Sequence, residues 1–134
     1  MITLEIVRKE MIDTAWDLGA SRLAECLFEN GTTTPSQLKS KLFRGELELL
    51  AYPNSESPLG WAAINFVQYD NCRSMYIFCF TCKKNTKCFI GELKKYAKSA
   101  GARFLEFICE APQERLFKRY SDFYTPYKLF RCDL

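Results

Sequence analysis

Histidine is absent from this sequence. Serine–histidine and cysteine–histidine nucleophile pairs, histidine-ligated zinc and imidazole acid–base chemistry are therefore excluded. Any proton transfer must use a carboxyl, phenol, thiol or amino group, or water. The sequence thus restricts the chemistry before any element of structure is considered.

A strong excess of one charge and long apolar runs are also missing. Nineteen Lys and Arg residues against sixteen Asp and Glu residues leave a net charge of only +3 over 134 residues, which is small for a dedicated nucleic-acid binder. The longest apolar stretches, such as Met75–Thr81, are much shorter than the roughly 20 residues of a membrane span. Met1 leads directly into the charged segment Glu5–Glu10 without a signal-peptide core. The sequence predicts a cytoplasmic protein with no membrane partner and no nucleic-acid partner.

The residues that are present indicate one compact domain, 1–134, because 48% are hydrophobic and 26% are charged. Seven cysteines cannot all pair within the chain, and several lie in strand-like apolar runs, which favours reduced thiols. The spacing of Cys72, Cys79, Cys82 and Cys88 does not repeat a zinc-binding pair, so no metal site is predicted. Cys82 lies beside three lysines, and this setting predicts either a thiol of lowered pKa or an inert buried one.

The first half of the chain predicts a strand, two helices and an antiparallel meander. Thr3–Arg8 alternates weakly as a strand, and helical spacing from Ile12 to Leu27 predicts one continuous helix that stops at Asn30–Gly31. Thr34–Gln37 has the form of a capping box with proline at the first helical position, which predicts a second helix up to Gly45. Three strands follow: Glu46–Tyr52, Leu59–Tyr69 and Ser74–Cys82.

The second half predicts a strand–helix–strand unit. Ser74–Cys82 is apolar on both sides, as expected of a central strand. A helix from Phe89 to Ala100 and a strand over Arg103–Cys109 follow, and this order predicts that the two strands are parallel. Pro112 is expected to open a helix that continues through Phe123, and Tyr127–Cys132 is expected to form an edge strand. The two predicted faces of the central strand carry Met75, Ile77 and Cys79 on one side and Tyr76, Phe78 and Phe80 on the other.

This element order resembles that of the GNAT superfamily of acyl-CoA-dependent N-acetyltransferases over nearly the whole chain. The resemblance is most specific from Lys94 to Leu134, where the run Leu116–Phe123 is similar to the family ending Phe-Tyr-x-x-x-Gly-Phe, with one extra residue and without the glycine. It implies an α/β (α+β) fold with a mixed, mostly antiparallel, twisted sheet, splayed central strands and about four helices.

The resemblance implies acetyl-CoA as co-substrate, with no metal. In that family the pantetheine arm lies between the splayed fourth and fifth strands, and the pyrophosphate binds backbone amides of a glycine-rich loop that opens the next helix. The matching loop here has lysines in place of the glycines, and Asn85 or Thr86 is the expected helix cap. An ordinary solvated loop is the alternative. The cofactor-binding residues implied are Phe80, Cys82, Lys83, Lys84, Asn85, Thr86 and Lys87.

Catalysis in this family needs a base for the ammonium proton and an acid for the leaving thiolate, and a tyrosine of the helix after the fifth strand commonly supplies the acid. Two alignments of this chain with the family's Asn-to-Tyr spacing, called registers below, remain open. Gln113 and Tyr120 reproduce the family spacing, whereas the other register puts Glu110 and Phe117 in those places and leaves no phenol. Tyr120 is the acid candidate, with a core aromatic as the alternative role. Glu106 and Glu110 are the base candidates.

The function implied is transfer of an acetyl group from acetyl-CoA to an amine acceptor of unknown identity. Two other functions are compatible with the same residues. One is a GNAT-like fold that has lost catalysis and serves as a binding or structural protein, similar to short, loop-degenerate phage-type members. The other is a small-molecule sensor that uses the cleft between the splayed strands. The sequence predicts neither the acceptor nor the oligomeric state.

Overall fold

The computed structural model describes residues 1–27, 31–109, 111–119 and 122–134. Within them a five-stranded sheet has the same order in space as along the chain. The first four strands are antiparallel neighbours, and the fourth and fifth run parallel. The strands are Glu5–Val7 (β1), Glu48–Tyr52 (β2), Gly60–Gln68 (β3), Arg73–Cys82 (β4) and Phe104–Phe107 (β5). The α-helices are Ile12–Leu18 (α1), Pro35–Phe43 (α2), Thr86–Ser99 (α3) and Ala111–Lys118 (α4).

This mixed, mostly antiparallel architecture confirms the predicted fold class. The parallel pairing of β4 with β5, joined through α3, confirms the strand–helix–strand unit. None of the helices in the described ranges combines the length and the apolarity needed to cross a membrane.

The sheet separates two hydrophobic cores. On one face, α1, α2 and a 3-10 helix at Ala20–Cys26 bury apolar side chains that include Leu23 and Leu38. On the other face, α3 buries Phe89 and Leu93 against β2, β3 and β4. Each of these large side chains contributes about 1.5–3 kcal/mol by leaving water. A sheet covered on both faces explains why β4 is apolar on both sides.

The first helix is shorter than its apolar spacing predicts. Helix α1 ends at Leu18, and a tighter 3-10 helix continues from Ala20 to Cys26. Gly19 has φ 138°, and a Cβ placed there would lie 3.3 Å from Nε1 of Trp61. The prediction of one continuous helix was therefore wrong because the chain turns where it passes close to Trp61, a long-range contact that local spacing does not report.

Helix α2 begins as predicted, because its cap is encoded locally. The Thr34 hydroxyl accepts a hydrogen bond from the Gln37 backbone N–H at 3.3 Å, and the Gln37 side-chain oxygen accepts one from the Thr34 N–H at 2.8 Å. Pro35 occupies the first helical position. This reciprocal capping satisfies two amides that the helix itself leaves without partners.

A bulge in β4 reverses the predicted alternation of its side chains. Ala63 pairs with Cys79 while Ile64 pairs with Ile77, so Phe78 is an extra residue in the ladder. Consequently Ile77 and Phe80 pack on the α3 face, whereas Cys79 is buried in the opposite core. The prediction that Cys79 shares a face with Ile77 was wrong, because one inserted residue moves all later side chains to the other face.

The C-terminal elements also differ from the prediction. Helix α4 ends at Lys118 rather than continuing through Phe123, and Tyr127–Cys132 forms no strand. Leu129 is 73% exposed and Phe130 is 90% exposed. The sequence of this segment favours a strand, but a strand also needs a hydrogen-bonded neighbour. The adjacent edge strand, β5, has only four residues with which a further strand could pair.

Two glycines, one at the start of β3 and one inside α3, allow a matched test of packing. A Cβ at Gly60 would lie 2.7 and 2.8 Å from ring carbons of Phe89 and 2.9 Å from the Thr81 carbonyl oxygen, whereas a Cβ at Gly91, inside α3, meets nothing within 4 Å. We expect Gly60→Ala to lower the free energy of unfolding by about 1–3 kcal/mol. Gly91→Ala should raise it by about 0.5–1 kcal/mol through helix propensity. Urea unfolding of both variants measures the two effects, and equal shifts would contradict the close contact at Gly60.

Candidate functional site

The parallel strands β4 and β5 stay together for only four residue pairs. Their ladder begins at Ser74 and Phe104 and ends at Ile77 and Phe107. Strand β4 then continues for five more residues to Cys82 without a β5 partner. We call the space beside this upper part of β4, above the Ile77–Phe107 pair, the cleft. It opens toward the carboxyl ends of both strands, where α3 begins.

Aromatic rings line the α3 side of the cleft. Phe80 of β4 stacks on Phe89 with ring centroids 5.1 Å apart. The ring of Phe117 in α4 lies 4.4 Å from the Phe107 ring of β5 and 6.4 Å from the Phe80 ring of β4, centroid to centroid, so it contacts both strands near the end of their ladder. Phe80, a predicted cofactor-binding residue, therefore has apolar surroundings.

Phe117 bears on the two registers that the sequence leaves open. Its phenyl ring packs against Phe107 of β5 and Phe80 of β4. The ring has no group that could donate a proton. Tyr120 and Glu110, the predicted acid and base, lie outside the described residues, and their roles stay predictions.

The loop between β4 and α3 combines free amides with positive charge. Asn85 precedes the helix in the left-handed conformation, with φ 61°, and its side chain makes no capping hydrogen bond. The N–H groups at the start of an α-helix have no intrahelical partner, and within α3 the Phe89 N–H is bonded to the Asn85 carbonyl at 3.0 Å. Thr86 is half-buried, and the side chains of Asn85 and the three loop lysines are exposed: Lys83, Lys84 and Lys87.

The structure corrects the prediction for the cap of α3: Asn85 is at the cap position, but its side chain makes no capping hydrogen bond. Asn85 occupies the cap position but caps with its backbone only, so the amides that follow it are left for another acceptor. The positive end of the helix dipole and the loop lysines favour an anion at this point. The Lys83 N–H donates to the Leu59 carbonyl at 2.8 Å, which fixes the loop to the start of β3.

Cys82 is not the activated thiol that its lysine neighbours suggest. Burial raises the pKa of the Cys82 thiol, and this effect exceeds the lowering by its hydrogen bonds to Lys84 and Thr86. Its Sγ–H donates to the Lys84 carbonyl at 3.0 Å. The lowered pKa considered from the sequence is therefore wrong, because the side chain turns into the half-buried α3 face rather than toward the lysine ammonium groups.

The cysteines should accordingly differ in reactivity. Burial raises the pKa of Cys79 to about 12, whereas Cys88 and Cys132 are exposed. Because thiolates are the reactive species, Cys88 and Cys132 should be modified first when the native protein is treated with an aromatic disulfide reagent. Cys79 should react only after unfolding. Peptide mapping of the labelled sites measures this order, and rapid native labelling of Cys79 would contradict its burial.

Two residues near the cleft were missed by the sequence reasoning. The Cys26 Sγ–H donates to the Phe80 carbonyl at 2.8 Å, which ties the 3-10 helix to the upper part of β4. Arg22, from the same helix, lines a small cavity together with Lys83 and Trp61. No local signal marks either residue, since both reach the site only through the fold.

The carboxylate of Glu106 is held at the lower end of the cleft. Its Oε1 accepts hydrogen bonds from the Tyr69 hydroxyl at 3.0 Å and from the Ser74 hydroxyl at 2.5 Å. Ser74 is fully buried, and Glu106 is half-buried. Of the two base candidates, Glu106 is thus the one that the structure describes.

The described residues contain no group of three Cys, Asp or Glu side chains that could hold a metal ion. Cys79 packs in the core on the α1 and α2 side of the sheet, and Cys82 packs against the core on the α3 side. The side chains around the cleft therefore offer rings, hydroxyls, one carboxylate and lysines.

Known structures share this architecture over almost their full length. A ribosomal-protein-alanine N-acetyltransferase from Brucella melitensis biovar Abortus 2308 matches with a TM-score of 0.70 and 10% sequence identity, covering 98% of this chain and 99% of that chain. A predicted acetyltransferase with acetyl-CoA from Clostridium acetobutylicum matches with a TM-score of 0.67 and 15% identity, covering 98% and 96%. A GNAT family acetyltransferase from Staphylococcus aureus matches with a TM-score of 0.65 and 12% identity, covering 99% and 98%.

Sequence comparison alone does not find this relationship. No protein-family model matches the chain, and no curated protein matches it. At identities of 10% to 15% the structural likeness concerns the fold. Its strand order, its parallel β4–β5 pair and these structural matches show that the chain has the GNAT acetyltransferase fold.

Proposed function

We propose that this protein is an N-acetyltransferase that transfers an acetyl group from acetyl-CoA to an amine. One observation carries the proposal: the parallel ladder ends at Ile77 and Phe107, where β5 ends, and β4 continues alone to Cys82, just before the start of α3. A narrow slot between strands suits a thin, flexible arm, and a helix start suits the phosphates at its end.

The donor groups at the start of α3 fit a polyphosphate. Three amides, those of Thr86, Lys87 and Cys88, precede the first described intrahelical bond, and the loop lysines supply charge. Deeper in the cleft, Phe80 and Phe117 offer an apolar wall to the pantetheine arm. Cys82 lies between these two zones, as a neutral thiol beside the arm. The family glycines are missing, so the lysines carry more of the binding than amides alone would.

The loop lysines provide a direct test of this placement. Replacing Lys83, Lys84 and Lys87 together by glutamate should weaken acetyl-CoA binding at least tenfold. Each exposed ion pair contributes only about 0.2–1 kcal/mol, but reversal removes three attractions and adds three repulsions. Raising the salt concentration should weaken wild-type binding in the same direction. Calorimetric titration at two salt concentrations measures both effects.

The matched control reverses three exposed cations elsewhere: Arg8, Lys9 and Lys98. The change in net charge is the same, yet Arg8 and Lys9 follow β1 at the opposite edge of the sheet. Lys98 lies about 18 Å along α3 from its start, at 1.5 Å per residue. Equal losses of affinity in the two triple variants would place the phosphates elsewhere.

Tyr120 and Glu110 complete the proposal as acid and base. In the reaction a base takes the ammonium proton of the acceptor, and an acid protonates the thiolate that leaves. In the register that starts at Gln113, we assign the Tyr120 phenol as the acid that protonates the leaving thiolate. Glu110 follows β5 in the sequence, and we assign its carboxylate the first proton.

A second function is favoured by one observation. Phe117 occupies the position between β4 and β5 without a hydroxyl group, which is the arrangement expected of a protein that binds acetyl-CoA or another ligand in the cleft without transferring the acetyl group. The two functions share the cofactor site and differ in turnover.

The deciding experiment follows acetyl transfer from acetyl-CoA to n-butylamine. Mass spectrometry detects the acetylated amine, and a thiol reagent added after quenching detects released coenzyme A. The proposal predicts both products in equal amounts and only with the folded protein present. Saturable binding of acetyl-CoA without either product, for n-butylamine, a peptide N-terminus and an aminoglycoside, would favour the second function.

A further inference from the structure

A small cavity lies on the face of the sheet that α1 and α2 cover. Trp61 of β3, which packs in the core on that face, is the ladder partner of Thr81 of β4. The Lys83 N–H donates to the Leu59 carbonyl at 2.8 Å, so the pairing continues one step beyond the ladder. Paired residues point to the same face of a sheet. The glycine and the polar or indole side chains that line the cavity are Gly19, Arg22, Trp61, Thr81 and Lys83.

The indole nitrogen of Trp61 opens into this cavity. Trp61 is 4% exposed, and none of the described residues accepts a hydrogen bond from its Nε1–H. Among the described side chains, the one unpaired polar atom that is sealed from solvent is Oδ1 of Asn65, so the unpaired Trp61 nitrogen reaches the cavity that its ring lines. An indole N–H can only donate, and it usually has an acceptor when the ring is buried. A ligand oxygen would supply that acceptor.

Gly19 keeps the nitrogen accessible. A Cβ at Gly19 would lie 3.3 Å from Nε1 of Trp61, so a larger residue would cover the nitrogen from that side. The cavity encloses about 10 Å³, which is close to the room that a single water-sized atom needs. One oxygen atom of a ligand can therefore reach the indole N–H, while the rest of the ligand stays at the surface.

Two cations border the cavity at the surface. Arg22 comes from the 3-10 helix and Lys83 from the loop after β4, and both side chains are exposed. Within the described part of the chain, neither forms an ion pair. The carboxylates nearest to the lining residues along the sequence do not line the cavity: Asp17, Glu25 and Glu56. The charge around the cavity therefore favours an anion.

The donors at the cavity match a doubly charged oxyanion. The Thr81 hydroxyl has no hydrogen-bond partner in the ranges that the structure describes, so it can donate beside the indole N–H. A single water molecule would satisfy the indole but would not balance two cations. A phosphate group carries a charge of about −2 near neutral pH and has several strong acceptor oxygens. A guanidinium can bind two of these oxygens at once.

We propose that this cavity is a phosphate-binding site. One phosphate oxygen accepts hydrogen bonds from the Trp61 indole N–H and the Thr81 hydroxyl, and Arg22 and Lys83 bind the oxygens that remain outside. The ligand is a phosphate group, as the free ion or as a monoester. The proposal does not depend on acetyl transfer, because this site lies on the α1 face and the rings of the cleft lie on the α3 face. The two sites share only Lys83.

The indole signals of the protein test the proposal at the atom concerned. The chain has two tryptophans, and Trp16, which does not line the cavity, is an internal control. Nitrogen-labelled full-length protein is titrated with sodium phosphate at constant ionic strength, and Trp16→Phe assigns the two indole N–H signals. We expect a saturable downfield shift of the Trp61 signal and none of the Trp16 signal. No saturable shift of the Trp61 signal at tens of millimolar phosphate, or equal affinity for acetate, would overturn the proposal.

Three variants identify the phosphate ligands. Arg22→Gln should weaken phosphate binding about three- to tenfold, because it removes the charge and the two-pronged donor. Lys83→Gln should weaken binding about two- to fivefold, as expected of one exposed ion pair. Thr81→Val keeps the shape of the side chain without its hydroxyl and should weaken binding about two- to tenfold.

Arg8→Gln and Lys98→Gln are the matched controls, since both remove an exposed cation that does not line the cavity. They should leave the affinity for phosphate unchanged, and thermal melts show that every variant is folded. Equal losses of affinity in Arg22→Gln and Arg8→Gln, or unchanged affinity in Arg22→Gln, would overturn the assignment of these ligands.

Two further ligands establish what the site binds. Glycerol 3-phosphate that binds more tightly than inorganic phosphate would assign the site to phosphate monoesters, and the reverse order would assign it to the free ion. Either order supports a phosphate site. Acetyl-CoA is added to the same sample, and the proposal predicts that phosphate still shifts the Trp61 indole signal when acetyl-CoA is bound. If acetyl-CoA alone causes the same shift and abolishes the effect of phosphate, the cavity belongs to the acetyl-CoA site and the proposal is overturned.

Discussion

Replacing Phe89 by alanine should lower the free energy of unfolding by about 3–5 kcal/mol, the usual cost of removing a buried aromatic side chain. Phe89 is fully buried. Its ring stacks on Tyr52 with centroids 5.0 Å apart and on Phe80 with centroids 5.1 Å apart. Because total stabilities of domains this size are about 5–15 kcal/mol, one substitution should remove a large part of the stability.

The same variant should also weaken acetyl-CoA binding under conditions where it is still folded. Phe89 lies in the first turn of α3, directly after the free amides, so a cavity at this point loosens the groups that would hold the phosphates. Cys88→Ala is the matched control, because it changes the adjacent exposed residue of the same turn. Urea unfolding and calorimetry measure the two effects. A stability loss below about 1 kcal/mol in Phe89→Ala would contradict the packing described here.

Tyr120→Phe should lower the rate of acetyl transfer by about 10²–10⁴ while leaving acetyl-CoA affinity nearly unchanged. The reason is that a hydroxyl acting only as a general acid contributes to the transition state and not to ground-state packing. This prediction follows from the register that pairs Tyr120 with Gln113. In the other register, where Phe117 holds that place, the substitution should change stability by about 0.5–1.5 kcal/mol and leave the rate unaffected.

Steady-state kinetics and thermal melts on the same Tyr120→Phe preparation separate the two registers. Tyr124→Phe is the matched control, since it removes a phenol hydroxyl from a side chain that is 72% exposed. A rate loss shared by both variants would point to a general effect on the C-terminal region. A rate loss confined to Tyr120→Phe would assign the acid.

The parts of the fold that the sequence predicts correctly are those with local signals. The capping box at Thr34 fixes the start of α2, and the strand–helix–strand order forces the parallel β4–β5 pair. The errors occur where a distant contact decides the local structure. Gly19 turns the chain beside Trp61, and Phe78 bulges because β4 has one residue more than β3 between two pairs. Neither event changes the apolar spacing from which the elements were predicted.

In the candidate site, too, only the features with a local sequence signal could be predicted. The loop lysines are visible in the sequence because they are contiguous with the start of α3. The position of Phe117 is not visible, since it depends on how α4 packs against two strands.

Calorimetric titration of the wild-type protein with acetyl-CoA tests the central claim most directly, because every version of acetyl transfer requires that complex. A cleft between β4 and β5 with the start of α3 at its mouth predicts saturable binding of one acetyl-CoA per chain. It also predicts that the affinity falls as salt is added. Protein that is folded by thermal melting and yet shows no saturable binding at millimolar acetyl-CoA would contradict the account.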